Sequence, residues 1–150
     1  SLNYVDNSFR FDSYNFVGIS GGGWTAIIYS AIDDRISKTF SVAGSLPIYL
    51  RVDHKDAGDY EQELPSFYSI SNYLELYILG AYGADRQLVQ IFNKNDPCCF
   101  SGNISSLYYN SVTNVLQNLG SGSFEILIDE NYSHSISDNI LKKIDEYIHK

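Results

Sequence analysis

The fold of this chain is decided by the stretch Phe16-Val17-Gly18-Ile19-Ser20-Gly21-Gly22-Gly23-Trp24. A short apolar run leads into three glycines, and a single serine stands where the run ends. After Trp24, apolar residues recur at the spacing of one helix face, at Ile27, Ile28, Ala31 and Ile32. The stretch therefore predicts a buried strand, a sharp turn and an amphipathic helix, in that order.

Working outward from this stretch, the same alternation of strand and helix continues along the chain. Further apolar runs predict strands over 39–43, 88–92 and 124–128. Helical spacing predicts helices over 70–79, 108–119 and 136–148, the first two stopped by Gly80 and Gly120 and the last capped by Ser137. Such alternation favours right-handed crossovers and a parallel sheet. We predict a single α/β domain over 1–150, with a mostly parallel sheet of about four strands and helices on both faces.

Composition and charge exclude several classes of protein. The 150 residues are 44% hydrophobic and 19% charged, which is typical of a globular chain and not of a disordered one. Acids outnumber bases 18 to 10, so nucleic acid and anionic membrane surfaces would repel the chain on average. No apolar run approaches the roughly 18 residues of a membrane span. We predict neither a nucleic-acid partner nor a membrane span.

The two cysteines, Cys98 and Cys99, are adjacent in sequence. Neighbouring cysteines rarely bridge each other, and two thiols fall short of the roughly four ligands of a structural zinc site. The pattern favours a reducing compartment, and therefore the cytoplasm. It implies no metal.

Ser20 is the first candidate for catalysis, since carboxyl ends of strands are where sites form in such sheets. The segment Gly18-Ile19-Ser20-Gly21-Gly22 fits G-x-S-x-G. In that pattern a serine nucleophile takes a strained conformation on a strand-to-helix turn, and the small residues let strand and helix pack closely. The amide of Gly21, at the helix start, would face a developing oxyanion. The alternative is that the glycines only make a tight turn.

Two more candidates follow the third and fourth strands. Asp96, in Asn93-Lys94-Asn95-Asp96-Pro97, is placed to orient an imidazole, and His134 is placed to act as a general base. The order Ser20, Asp96, His134 is the triad order for this kind of sheet. The alternatives are a turn-forming Asp-Pro and an ordinary loop histidine. Asp53 and Asp56 are alternative acids, in a longer loop after the second strand.

These segments resemble the α/β-hydrolase superfamily, in its esterase and prolyl-oligopeptidase-like branch. The stretch 16–24 is similar to the family's nucleophile elbow, 93–97 to its acid turn, and 128–134 to its histidine loop. The resemblance covers nearly the whole chain but only the C-terminal half of the family fold. It implies that these are strands five to eight of eight. The N-terminal half, with the loop that donates a second oxyanion amide, has no counterpart here.

The resemblance implies a serine hydrolase that cleaves a carboxylic ester or amide through an acyl-enzyme. The expected substrate is a small-molecule ester or a peptide, and no cofactor is implied. Because the chain starts at Ser1 and has no methionine, we expect that an N-terminal portion of the same protein was separated from it. That portion, or a second copy in a homodimer, would complete the sheet. Residues 45–87 replace a short crossover, and we expect an insertion there that caps the site. The alternative is that the aromatic stripe of the helix ending at Leu79 belongs to the core.

Four other functions are alternatives to hydrolysis. Gly21, Gly23 and Ala26 match G-x-G-x-x-A, but no acid ends the next strand, as a dinucleotide site needs. No phosphate-binding G-x-x-x-x-G-K-[ST] occurs. A thiol nucleophile at Cys98 or Cys99 with His134 would lack the elbow. The remaining alternative is a catalytically incomplete fragment of the hydrolase fold with a binding or assembly role.

Overall fold

A computed structural model describes residues 2–52 and 54–149. The helices are α1 (Leu2–Ser8), α2 (Gly21–Ile32), α3 (Pro65–Tyr68), α4 (Tyr73–Ala81), α5 (Ser106–Leu119) and α6 (Asp138–Ile148). The strands are β1 (Tyr14–Ile19), β2 (Ile36–Val42), β3 (Gln87–Asn93) and β4 (Ser123–Asp129). Three short 3₁₀ turns, Ile48–Leu50, His54–Ala57 and Tyr60–Glu63, lie between β2 and α3. No helix in the described ranges is long and apolar enough to cross a membrane.

The four strands form one parallel sheet in the order β1-β2-β3-β4. Ile19 pairs with Val42, Val42 with Ile91, and Asn93 with Asp129. All four carboxyl ends therefore meet at one edge. The predicted parallel sheet is confirmed.

Helices cover both faces of the sheet, as predicted. On one face α2, α4 and α5 bury a largely aromatic core that includes Trp24, Tyr77, Tyr108 and Phe124. On the other face α6 packs Ile140 and Ile144 against the sheet. Ser137 caps α6, because its side chain accepts a hydrogen bond from the Ile140 amide.

The segment between β2 and β3 differs from its prediction in detail. The helix begins at Tyr73 and not at Ile70, because the Asn72 side chain caps it in a capping box with Glu75. Ile70 lies outside the helix and is 84% exposed. Gly80 lies inside α4, where it allows a close approach to Ser30: a Cβ there would lie 2.7 Å from the Ser30 hydroxyl.

The aromatic stripe of α4 belongs to the core. Tyr73 and Tyr77 are buried, and their rings pack against Trp24 and Phe124 respectively. The core alternative for these residues is therefore confirmed.

The close contact of β1 with α2 gives a first prediction. A Cβ on Gly18 would lie 2.2 Å from the Gly22 carbonyl oxygen, so Gly18→Ala forces the strand and helix apart. We expect a loss of about 1–3 kcal/mol in the free energy of unfolding. Gly22→Ala is the matched control: a Cβ there meets nothing within 4 Å, and alanine favours the helix by up to about 1 kcal/mol. Urea denaturation measures both; equal stability of the two variants would contradict the packing argument.

Candidate active site

Ser20 occupies a strained turn between β1 and α2. Its φ and ψ are 56° and −128°, a conformation that non-glycine residues adopt only when the surroundings impose it. The surroundings do so here: the Ser20 amide donates to the Val42 carbonyl at 2.9 Å, and the Trp24 amide donates to the Ser20 carbonyl at 3.0 Å. The turn therefore sets Ser20 at the carboxyl edge of the sheet.

Gly21 is the first residue of α2 and follows Ser20 directly. Amides in the first turn of a helix have no acceptor within the helix, and they carry the positive end of its dipole. The Gly21 amide is therefore available to a negatively charged oxygen near Ser20.

Asp96 and His134 are in direct contact at the same edge. His134 Nδ1 lies 2.9 Å from Asp96 Oδ2 and 3.1 Å from Oδ1. The Asp96 side chain is fully buried, while that of His134 is 25% exposed. The imidazole is thus fixed through Nδ1, which leaves Nε2 for a proton or a ligand.

Asn93, the last residue of β3, organises this pair. Its side-chain amide donates to Asp96 Oδ2 at 3.0 Å and to the carbonyls of Ser133 and Ser135 at 3.0 and 3.2 Å. One buried side chain therefore ties the acid turn to the histidine loop. The only sequence signal for this role of Asn93 is its position at the end of a strand.

The hydrogen bonds around Asp96 decide its ionisation. Burial alone would raise the pKa of Asp96, but hydrogen bonds from Asn93, His134 and the Cys98 amide lower that pKa below its ordinary value of 3.8. Asp96 is therefore a carboxylate at neutral pH. It can hold Nδ1–H of the imidazole without taking its proton.

This lowered pKa predicts a pH-dependent stability. A carboxyl whose pKa is lowered by folding stabilises the native state above its unfolded pKa, and the stabilisation is lost as pH falls through the folded pKa. We expect Asp96→Asn to cost about 1–3 kcal/mol at pH 5, because a charged hydrogen-bond acceptor is lost. The difference from wild type should shrink as the pH falls below 3.8. Urea denaturation at several pH values measures it, and a difference that grows towards low pH would contradict the assignment.

A cavity of about 170 Å³ opens beside Ser20. Its walls come from Ser20, the turns after β2 and the loop after β3, and consist of Ser20, Gly58, Asp59, Gln62, Cys98, Cys99 and Phe100. The Cys98 and Cys99 sulfurs and a ring nitrogen of His134 all lie within 4.8 Å of one another. Ser20 and His134 are therefore both neighbours of the two thiols.

One link of the predicted set is not formed. The Ser20 hydroxyl donates no hydrogen bond to His134 or to any other residue of the described ranges. In sites without substrate such bonds are often long, and they tighten when the substrate binds. The structure thus joins Asp96 to His134 and brings Ser20 to the same edge.

Solved structures share this arrangement of strands and helices. An acylaminoacyl peptidase of Pyrococcus horikoshii superposes with a TM-score of 0.62 at 17% identity, over 99% of this chain and 25% of the peptidase. An esterase of Pyrococcus furiosus gives 0.66 at 13% identity, over 99% of this chain and 58% of the esterase. A methylesterase gives 0.71 at 17% identity, over 98% of this chain and 32% of that protein. This chain has the α/β-hydrolase fold.

The match to the α/β-hydrolase fold is partial. The chain spans about a quarter of the peptidase and little more than half of the esterase. No protein-family model and no curated protein matches the sequence. This chain therefore corresponds to only a part of each of these proteins.

Asp56, one of the two alternative acids, has a different role in the structure. Asp56 is buried, and its Oδ1 accepts a hydrogen bond from the Phe100 amide at 2.5 Å, so it fixes the loop that carries the cysteines. Asp53 lies outside the described residues. Of the described acids, Asp96 is the one in contact with His134.

A larger cavity lies far from this chemistry. It measures about 700 Å³ and is lined at the amino-terminal edge of the sheet by residues such as Asn15, Lys38 and Gln87. No histidine or cysteine lines it, and α/β sheets bind ligands at the opposite edge. The edge that carries Ser20 is therefore the candidate site.

Proposed function

We propose that this chain carries the catalytic residues of a serine hydrolase acting on carboxylic esters or amides. The observation that supports this most strongly is the strained turn at Ser20, which lies at the same sheet edge as the Asp96–His134 pair. Strain in a non-glycine residue is costly and concentrates at functional sites. In the α/β-hydrolase fold a nucleophile elbow has this position and conformation.

The proposed reaction uses four groups. Ser20 Oγ attacks the carbonyl carbon while His134 Nε2 takes the hydroxyl proton. Asp96 keeps the imidazole in the tautomer protonated at Nδ1, and the Gly21 amide donates to the oxyanion. His134 then passes the proton to the leaving group. Water, activated by His134, hydrolyses the acyl-enzyme and restores Ser20.

The solved structures support the hydrolase class. Those compared above are named as a peptidase, an esterase and a methylesterase. All hydrolyse acyl derivatives, which is the chemistry proposed for Ser20.

Reaction with a fluorophosphonate probe tests the proposal, because only an activated serine reacts rapidly with it. We expect the wild-type protein to be labelled on Ser20, identified by peptide mass. Ser20→Ala should abolish the label. No labelling by the fluorophosphonate would contradict the proposal. Rapid alkylation of Cys98 by iodoacetamide together with loss of activity would then favour the thiol alternative, and no activity at all would favour a fragment that binds or assembles without catalysis.

Charge beside the cavity points to the substrate class. A Cβ on Gly21 would lie 2.9 Å from Asp59 Oδ2, so a carboxylate stands next to the proposed oxyanion amide. We propose that this carboxylate disfavours anionic acyl or leaving groups and that the turns carrying it form the cap. Matched esters that differ only in the charge of the acyl group should show slower hydrolysis of the anionic one. Faster hydrolysis of the anionic ester would contradict this role of Asp59.

The free edge of β1 indicates a partner. Within the described residues β1 pairs only with β2, and Val17 is 41% exposed. An unpaired strand edge invites another strand, and the site also needs a second oxyanion donor. We propose that an N-terminal portion of the same protein supplies both. A homodimer through the β1 edge is the alternative.

A further inference from the structure

The loop after β3 places two thiols against the imidazole of His134. Cys98 is exposed and Cys99 is buried, and both are free thiols. Their sulfurs and a ring nitrogen of His134 lie within 4.8 Å of one another. The proposed hydrolysis gives these sulfurs no task. His134 comes from the loop after β4, so its approach to the thiols has no signal in the sequence around Cys98.

The distances suit a zinc-class cation after a small adjustment. Zinc binds thiolate at about 2.3 Å and imidazole at about 2.0–2.1 Å, so two sulfurs on one tetrahedral ion stand about 3.7 Å apart. Here the sulfurs are 2.6 Å apart. A rotation of the exposed Cys98 side chain that moves its sulfur by about 1 Å separates the two sulfurs to the distance required by zinc. The same exposure gives the ion an entry path.

The surroundings of His134 and Cys99 match those of a metal site. Histidines that bind a metal usually donate their other ring N–H to a carboxylate, and His134 Nδ1 lies 2.9 Å from Asp96 Oδ2. The buried carboxylates of Asp96 and Asp56 hold the same loop through the amides of Cys98 and Phe100, and their negative charge attracts a cation.

We propose that Cys98 Sγ, Cys99 Sγ and His134 Nε2 bind a borderline-soft divalent cation such as Zn²⁺. Two thiol protons leave on binding, and both cysteines line the cavity beside Ser20, so water in that cavity can supply a fourth ligand. One consequence rests on the proposed function: the ion occupies the lone pair with which His134 accepts the Ser20 proton. Zinc is then a reversible inhibitor of hydrolysis.

Cobalt(II) titration tests the site directly, since thiolate-to-cobalt charge transfer gives an absorption that needs no activity. The purified protein is kept reduced with a phosphine, and two free thiols per chain are confirmed first. We expect one cobalt per chain, displaced by Zn²⁺. Cys98→Ser and Cys99→Ala should each weaken or remove the absorption. Asp96→Asn should weaken binding by about 10–100-fold, as loss of a partner behind a ligating histidine does.

His149→Asn is the matched control. His149 also pairs with an acid, Asp145, but it is exposed and lies at the end of α6. Its substitution should leave cobalt binding unchanged. The proposal is overturned if reduced wild-type protein shows no charge transfer, or if the Cys98→Ser protein, folded by circular dichroism, binds cobalt as tightly as wild type.

Fluorophosphonate labelling separates this proposal from the proposed function. With a chelator present, labelling of Ser20 reports the hydrolase site alone. Added Zn²⁺ should block the label in wild type and not in Cys98→Ser. Cobalt binding without labelling of Ser20 would support the metal site and contradict the proposed hydrolase function. Labelling of Ser20 without cobalt binding would support the hydrolase function and contradict the metal site.

Discussion

Ser20→Ala should lower ester hydrolysis by about 10⁴-fold or more while the protein stays folded. The substitution removes the attacking oxygen and nothing else, because the Ser20 hydroxyl makes no hydrogen bond within the described residues. Alanine must adopt the same φ of 56°, so the strain of the turn is retained. Initial rates with an activated ester give the change in kcat, and thermal melting checks the fold.

The control for this experiment is Cys98→Ser. Cys98 lines the same cavity and is the other nucleophile candidate beside His134. If the thiol were the nucleophile, Ser20→Ala would keep its activity and Cys98→Ser would lose it. That result would refute the assignment of Ser20.

Asp96→Asn should lower kcat by about 10⁴-fold with little change in KM. An asparagine can turn an N–H towards His134 Nδ1, which then must accept, so the proton moves to Nε2 and the base is lost. In the wild-type protein the two carboxylate oxygens of Asp96 accept hydrogen bonds from Asn93, His134 and the Cys98 amide. A purely structural role would lower stability without this separation of kcat from KM.

Asp129→Asn is the matched control for Asp96. Asp129 is a buried carboxyl at the same edge, and its Oδ2 has no hydrogen-bond partner among the described residues. We expect its kcat to stay within a few-fold of wild type. An equal loss in both variants would show that any buried acid at this edge matters, and would remove the specific role of Asp96.

The sequence was sufficient for the parts of the structure that local patterns specify. The strand, turn and helix around Ser20 follow from apolar spacing and glycines within one short segment. Asp96 and His134 could be placed because a parallel sheet brings the ends of its strands to one edge. Gly120 ends α5 in a left-handed conformation, with φ 70°, as its position predicted.

Other parts depend on contacts between distant segments and could not be derived locally. The three hydrogen bonds of Asn93 exist only once the loop after β4 has folded over β3. Cys98 and Cys99 lie near His134 because Asp96 accepts hydrogen bonds from both cysteine amides and also contacts the imidazole, which arrives from the loop after β4. Helix α1 and the turns between β2 and α3 carry no clear periodicity, and the sequence did not predict them.

The order of the strands along the sheet, which is also their order along the chain, bears on how the protein folds. The β2–β3 connection runs over 43–86, against 20–35 for β1–β2, and closing the longer loop costs roughly 1 kcal/mol more in chain entropy. We expect the β1–β2 and β3–β4 pairs to form early and to join last. Ser20 belongs to the first pair, while Asp96 and His134 belong to the second. Recovery of hydrolysis on refolding would then follow the joining of the two halves and lag behind the recovery of helix content.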